Sequence, residues 1–465
     1  MRFTLLLALT LPLTALAQTN VPGEKLPLAA DAKTVNLILE EALAHAAAYE
    51  NLRTLTSQSP GRLSGSKSLE RAVVWAERTL TTLKLDRVYR QNVMVPHWER
   101  GARESVRLLP SQGEAIALPA LALGGSGPSP STGVIAEVVE VHSLAELASL
   151  GRDHLAGKIA FFNRPMNSGD FRPAYAYGNA GDQRNRGPAA AAAFGAIAVL
   201  TRSLTHSIDD IPHTGNTSYP PNTEKIPAAA LSTRAADRLS VALAADPKLR
   251  VEIKINSRWL PDAASHNVIG EIRGTEFPEQ IIVVGAHLDS WDIAPGAHDD
   301  GAGVVQAIEV LRIFQALGLK PRHTLRCVLF TAEENSGNGG IAYAAAAKSA
   351  NERHVFAIES DNGGFAPSGF ELGSTQGEPH LRAERWRSLF EPWGIWHFAK
   401  GPGGSDVGHL MLQGVTVAEI KPNSQRYFDY HHTTIDSIDK VNPRELHLGA
   451  GALAAFVWLV DTQGL

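Results

Sequence analysis

From Asn267 onward the chain alternates short apolar runs with helical segments, and no other feature limits the fold as strongly. Val268 to Ile272, Ile281 to Val284, Leu325 to Phe330, Val355 to Ile358 and Val415 to Ile420 have the length and apolar character of fully buried strands. Between them, Gly303 to Leu317 places Val304, Ile308 and Leu311 at i, i+4 and i+7 with Pro321 beyond, which predicts a helix that buries one face and then stops. Alternating βα units predict an α/β fold, a mainly parallel mixed sheet flanked by helices on both faces. The last helix is expected to open with Asn442 as N-cap and Pro443 in its first turn, and to run to about Val460.

Upstream the pattern differs. Thr34 to Leu83 reads as helical around a Gly, Pro and Ser-rich loop at Ser57 to Ser66. After Glu99, short runs such as Ser105 to Leu109, Gly133 to Val141 and Lys158 to Phe162 predict a β-rich module, within which Gly187 to Leu200 reads as a helix followed by a buried strand. The expected organisation is therefore a leader (1–17), an N-terminal part of the main α/β unit (18–104), an inserted module (105–258) and the remainder of the α/β unit (259–465). A chain of 465 residues accommodates two or three domains of about 150 residues each.

Charge and cysteine content narrow the chemistry. Lys+Arg 43 against Asp+Glu 48 leaves a net charge of -5, so no basic excess favours nucleic acid as a partner. The one cysteine, Cys327, excludes an intrachain disulfide and a multi-cysteine zinc site, and its place inside an apolar run predicts burial. Any metal must be held by His and carboxylate side chains. Arg2, the apolar stretch Leu5 to Leu13 and Ala15-Leu16-Ala17 before Gln18 read as a cleaved export signal, too short for the roughly 20 residues of a membrane span. The expected location is periplasmic or secreted, with no membrane anchor after cleavage.

In an open α/β sheet, ligands bind beyond the carboxyl ends of the strands. The residues there are rich in metal-ligand types: His287, Asp289 and Asp292, then His298, Asp299 and Asp300, then Glu333 and Glu334, then Glu359 and Asp361, and finally His431, His432 and Asp436. Each motif alone reads as a surface pair or a turn. Their joint occurrence at successive strand ends is what such readings fail to produce. Two histidines with several carboxylates suit Zn²⁺, and one carboxylate can bridge two ions about 3.5 to 4 Å apart. Asp289 is spaced to accept the second N–H of His287, and adjacent Glu333 and Glu334 can divide the roles of general base and ligand.

With those residues in view, the sequence resembles the co-catalytic di-zinc exopeptidases. His287-Leu-Asp289-Ser-Trp291-Asp292 with Gly-Ala-His-Asp299-Asp300-Gly-Ala-Gly looks most like their carboxypeptidase Q (plasma glutamate carboxypeptidase) branch. The resemblance extends to the loop Gly61-Arg-Leu-Ser-Gly65 and to an inserted protease-associated domain, most family-like at Gly187 to Leu200. It implies two zinc ions per chain, with His287 and Asp361 on one, Glu334 and His432 on the other, and Asp299 bridging; Glu333 would be the base and Asp289 would orient His287. The family places its bridging Asp three residues after the Gly of a Pro-Gly-Ala turn, and its last His four residues before an acidic residue, here Asp436; His298 departs from the pattern. Gly403-Gly-Ser-Asp406 resembles a family segment near the substrate pocket and reads equally as a Gly-rich turn capped by Asp. The resemblance further implies metal-assisted hydrolysis of short peptides, of aminopeptidase or dipeptidase type, and a homodimer. Rival readings are a one-zinc glutaminyl-cyclase-like acyltransferase and a receptor-like binding protein without catalysis. Lys400, Lys421 and Arg426 are candidate cations for a substrate carboxylate.

Overall fold

The computed structural model describes residues 29–465; the expected leader, 1–17, lies outside them. The chain opens with helices α1 (Ala29–His45), α2 (Ala48–Gln58) and α3 (Lys67–Thr82), then the long strand β1 (Arg87–Glu99). Eight short strands follow: β2 (Ser105–Leu109), β3 (Ile116–Leu118), β4 (Ala120–Ala122), β5 (Val134–Val141), β6 (Ile159–Phe162), β7 (Ala198–Arg202), β8 (Ala228–Leu231) and β9 (Arg250–Lys254). The remainder supplies β10 (Arg258–Ile272), β11 (Phe277–His287), β12 (His323–Phe330), β13 (Arg353–Glu359), β14 (Pro367–Gly373), β15 (His397–Lys400) and β16 (Thr416–Pro422).

The first sheet runs β1-β10-β12-β11-β13-β16-β14-β15. Its centre, β12-β11-β13-β16, is parallel, as the βα alternation predicts, while β10 and β14 join antiparallel at either side. Burial on both faces explains the continuous apolar runs. Along β11, Ile282, Val284 and Ala286 enter one core with helix Ala302–Ala316, and Ile281 and Val283 enter the other with helix Asn338–Ser349. Helix Ala302–Ala316 is buried around nearly its whole circumference, Val305, Val310 and Phe314 included, because the sheet, α2 and the last helix all pack against it. That last helix, Pro443–Gln463, begins where expected, with the Asn442 side chain accepting the N–H groups of Arg444 and Glu445. Cys327 is buried in β12.

The strands between Ser105 and Lys254 form a separate mixed sheet, β3-β2-β9-β5-β6-β7-β8-β4, with its own core around Phe161, Leu200 and Val251. Helix Gly187–Ala193 leads into β7 as the sequence suggests. Residues of this module reach the carboxyl ends of the first sheet: Tyr177 stacks on Phe428 with ring centroids 4.6 Å apart. Among the described residues no helix is long and apolar enough to cross a membrane.

Candidate metal centre

The site assembles from the carboxyl ends of the parallel strands. β11 ends on His287, and the chain then turns back through Pro295-Gly296-Ala297 to Asp299 and Asp300 before helix Ala302–Ala316 starts. Gly296 has φ +63°, and a Cβ there would lie 2.4 Å from the Cβ of Ser290, so the turn requires glycine. Arg62, buried in the Gly61–Gly65 loop, locks this turn. Its guanidinium donates to the carbonyls of Leu288 (2.6 Å), Pro295 (2.5 Å) and Gly296 (2.9 Å).

Asp299 stands at the centre. Its Oδ1 is 3.3 Å from His287 Nε2, and its Oδ2 is 3.3 Å from His432 Nε2. His287 Nε2 also lies 3.4 Å from Asp361 Oδ1, and His432 Nε2 lies 3.1 Å from Glu334 Oε2. Two clusters of one histidine and one carboxylate thus share Asp299. His287, Asp299, Glu334 and His432 are buried and Asp361 is partly exposed, yet Asp299 Oδ2 and Glu334 Oε1 have no hydrogen-bond donor. Lone pairs buried without a donor are costly unless a cation meets them.

The electrostatics agree. Burial pushes Glu334 up to about 7, with Asp299 adding repulsion. Burial also lifts Glu333 well above the ordinary carboxylate range, and Asp361, Glu334 and Asp289 reinforce it. Burial would raise Asp299 too, but His287, His431 and His432 hold it well below. The cluster is an excess of buried acid, and a bound divalent cation reverses such shifts. His and carboxylate donors fit zinc.

Surrounding groups fix the donors. Asp289 lies 3.5 Å from His287 Nδ1 and accepts the backbone N–H groups of Glu333 (3.0 Å) and Glu334 (3.3 Å), tying the end of β11 to the turn after β12. Asp300 accepts the N–H groups of His287 and Gly303, both at 3.0 Å. Donor atoms of His287, Asp300 and Asp361 lie within 4.8 Å of one another, but those two bonds occupy both Asp300 oxygens and leave it a structural part. Asp436 accepts the N–H groups of His298 (2.7 Å) and Asp299 (3.1 Å). His298 itself is turned away, stacked on Phe365 at 4.4 Å and accepting the Gly364 N–H.

His431 and His432 both face Asp299 and stack 3.5 Å apart, so distance alone admits either. They differ in their other contacts. His432 also meets Glu334, and its Nδ1 lies 3.2 Å from the carbonyl of Thr214, whose N–H donates back to the His432 carbonyl at 2.9 Å. An Nδ1–H bonded to a carbonyl leaves Nε2 with its lone pair toward Asp299 and Glu334. The exchange also secures His432 in a left-handed conformation, φ +62°, that non-glycine residues seldom adopt.

A cavity of about 360 Å³ opens over His287, Asp299, Glu333, Glu334, Asp361 and His432. Ser405 borders it, while Asp406 is buried beneath and accepts the Gly340 N–H, so the Gly403–Asp406 segment is both a turn and a wall. The three candidate cations for a substrate carboxylate are elsewhere. Lys400 is exposed near Glu378, Arg426 is exposed beside Asp429, and Lys421 is paired with Glu419 in a neighbouring groove. The cation on the cavity wall is Arg184, from the other module, which no motif in the sequence marks. Asp292 forms an ion pair with Arg100, and Trp291 packs edge-on to His432.

Comparison with known proteins gives a consistent picture. The profile of Peptidase family M28 matches residues 267–457. The chain is 35% identical to carboxypeptidase Q of Bos taurus over 412 residues, covering 89% of this chain and 84% of that protein. It is 34% identical to carboxypeptidase Q of Homo sapiens with the same coverage. The crystal structure of a peptidase M28 precursor from Shewanella amazonensis superposes with a TM-score of 0.88 at 33% identity, over 94% of this chain and 98% of that one. The zinc aminopeptidase BSAP from Bacillus subtilis shares the fold, with a TM-score of 0.65 at 21% identity over 91% and 97%.

Proposed function

The chain belongs to peptidase family M28, and from that premise we propose that it is an exported di-zinc exopeptidase acting on short peptides, of aminopeptidase or dipeptidase type. The observation that carries the reading is Asp299, one oxygen toward His287 and the other toward His432, each histidine having its own further carboxylate. In this reading His287 and Asp361 hold one zinc, Glu334 and His432 the other, and Asp299 serves both. Bound zinc supplies a Lewis acid that polarises the scissile carbonyl and lowers the pKa of water.

The chain's own groups do the rest. Glu333 lines the cavity beside the donor set. It is the general base that accepts a proton from the attacking water and returns it to the departing amine. Asp289 acts through others: by binding the N–H groups of Glu333 and Glu334 while facing His287, it keeps base and donors in one register. The module at 105–258 serves as a protease-associated insertion whose His213–Thr214 segment braces His432. Export rests on the Arg2 to Ala17 pattern.

The test is Glu333→Gln in zinc-loaded protein. Turnover of dipeptides is expected to fall by at least about 100-fold with bound zinc unchanged by elemental analysis. A variant that keeps its activity, or wild type that binds no zinc, would remove the basis for the assignment.

A further inference from the structure

His432 has a left-handed backbone, φ +62°, at the point where its ring meets Asp299 and Glu334. A non-glycine residue holds that conformation only where its surroundings impose it. Here the second module imposes it, by holding the peptide planes on both sides of the His432 Cα. His213 Nδ1 donates to the His431 carbonyl at 2.9 Å and fixes the plane before His432; the Thr214 N–H donates to the His432 carbonyl at 2.9 Å and fixes the plane after it. Each plane is rigid, so the pair sets φ and ψ together. The clamp is itself anchored in its own module. The His213 N–H donates to the Ser203 hydroxyl (2.8 Å), the Thr214 hydroxyl to the Ala122 carbonyl (2.7 Å), and the Gly215 carbonyl accepts the Gly124 N–H (2.9 Å).

For packing alone His213 is a costly choice. It is buried, and its Nε2 has no hydrogen-bond partner. An acceptor left in that state has given up its water for nothing, whereas an apolar side chain would fill the space without the cost. What the imidazole supplies and an apolar group cannot is the Nδ1–H, and since a carbonyl only accepts, the proton sits on Nδ1. We propose that His213 is a positioning residue for the Glu334 and His432 half of the metal centre: its Nδ1–H holds the His431–His432 peptide in the orientation that aims His432 Nε2 at the second ion. The inference deepens the di-zinc reading and rests on it. His287 takes its support from Asp289 and Asp300 of the main unit, so the first ion is indifferent to His213. The second is held tightly only while the inserted module is seated.

The experiment lets side-chain amides stand in for each ring nitrogen. In His213→Asn the amide N–H falls near the place of Nδ1–H; in His213→Gln, of the same polarity, it falls further out, near Nε2. Zinc-loaded wild type and both variants are titrated with a chelator of known affinity, and the visible absorption of Co²⁺-loaded samples reports the ligand field of each ion. His213→Gln is expected to weaken one of the two ions by about 10- to 100-fold, with a changed Co²⁺ band, and to leave the other as in wild type; His213→Asn should keep both within about threefold. A Gln variant that binds both ions like wild type, or loses both alike, overturns the role of His213, and so does an Asn variant that loses one ion as Gln does. Wild type that holds fewer than two zinc ions overturns the di-zinc reading and this inference with it.

Discussion

In the proposed reading Asp299 serves two cations, and Asp436 steadies the backbone from which its carboxylate projects by accepting the N–H groups of His298 and Asp299. The same logic separates the two adjacent histidines. His431 meets Asp299 at 3.5 Å, whereas His432 meets Asp299 and Glu334 and is oriented through Thr214. His432→Ala is therefore expected to lower bound zinc by about one equivalent, because a site stripped of one of its few donors binds far more weakly. His431→Ala should retain both ions, and elemental analysis after dialysis decides. Equal loss in the two variants would mean that the stacked pair acts as one donor. The residues brought together at the centre were readable because ligand types recur at strand ends. Arg62, Thr214 and Arg184 were not, since an arginine or a backbone carbonyl shows its role only when a distant segment arrives beside it.

At the level of elements, the central strands and helix Ala302–Ala316 were readable because continuous apolar runs have few alternative fates. β1, β14 and β15 were not. Only Val93, Val95 and Trp98 are buried along β1, so its pattern is diluted by polar residues, and β15 is four residues long. The outer part of β13 carries a pH-sensitive contact. His354 accepts from the Tyr343 hydroxyl at 2.8 Å, and that hydroxyl accepts from Arg326 at 2.9 Å. Burial, reinforced by Arg326, lowers His354 to about 4. An unfolded histidine titrates near 6.5, so between about pH 4 and 6.5 the unfolded chain binds more protons. This group's contribution to stability is full above pH 6.5 and is lost as pH drops toward 4, by up to about 3 kcal/mol. In metal-free protein the urea midpoint at pH 4.5, relative to that at pH 7, should be higher in His354→Gln than in wild type; an unchanged ratio would assign the pH dependence to other groups.

Across the whole molecule, folding concentrates acid at one edge of the sheet. Besides Asp299, Glu333, Glu334 and Asp361, the buried Glu359 is pushed up to about 8, by burial first and then by Asp361. Asp406, whose N–H bonds Glu359, is raised as well, by burial and by Glu359. A carboxyl whose folded pKa lies above its unfolded value binds its proton more tightly when folded. Such groups cost stability as pH rises from about 4.5 to 8. A net charge of -5 shows nothing of this, because the strain is local. On the proposed function, zinc that binds only the native state would offset this cost by about 2.7 kcal/mol for each site at a free metal concentration 100 times Kd. Chelation should therefore lower Tm by roughly 5 to 10 °C for a unit of this size. The gap between loaded and stripped protein should widen from pH 5.5 to 8, since ligands must be deprotonated to bind and the stripped state weakens over that range. Differential scanning calorimetry at the two pH values measures both trends. A stripped protein that melts with the loaded one at pH 8 would mean that protons or water alone satisfy this acid cluster, and the case for a resident metal pair would fail at the scale where it is strongest.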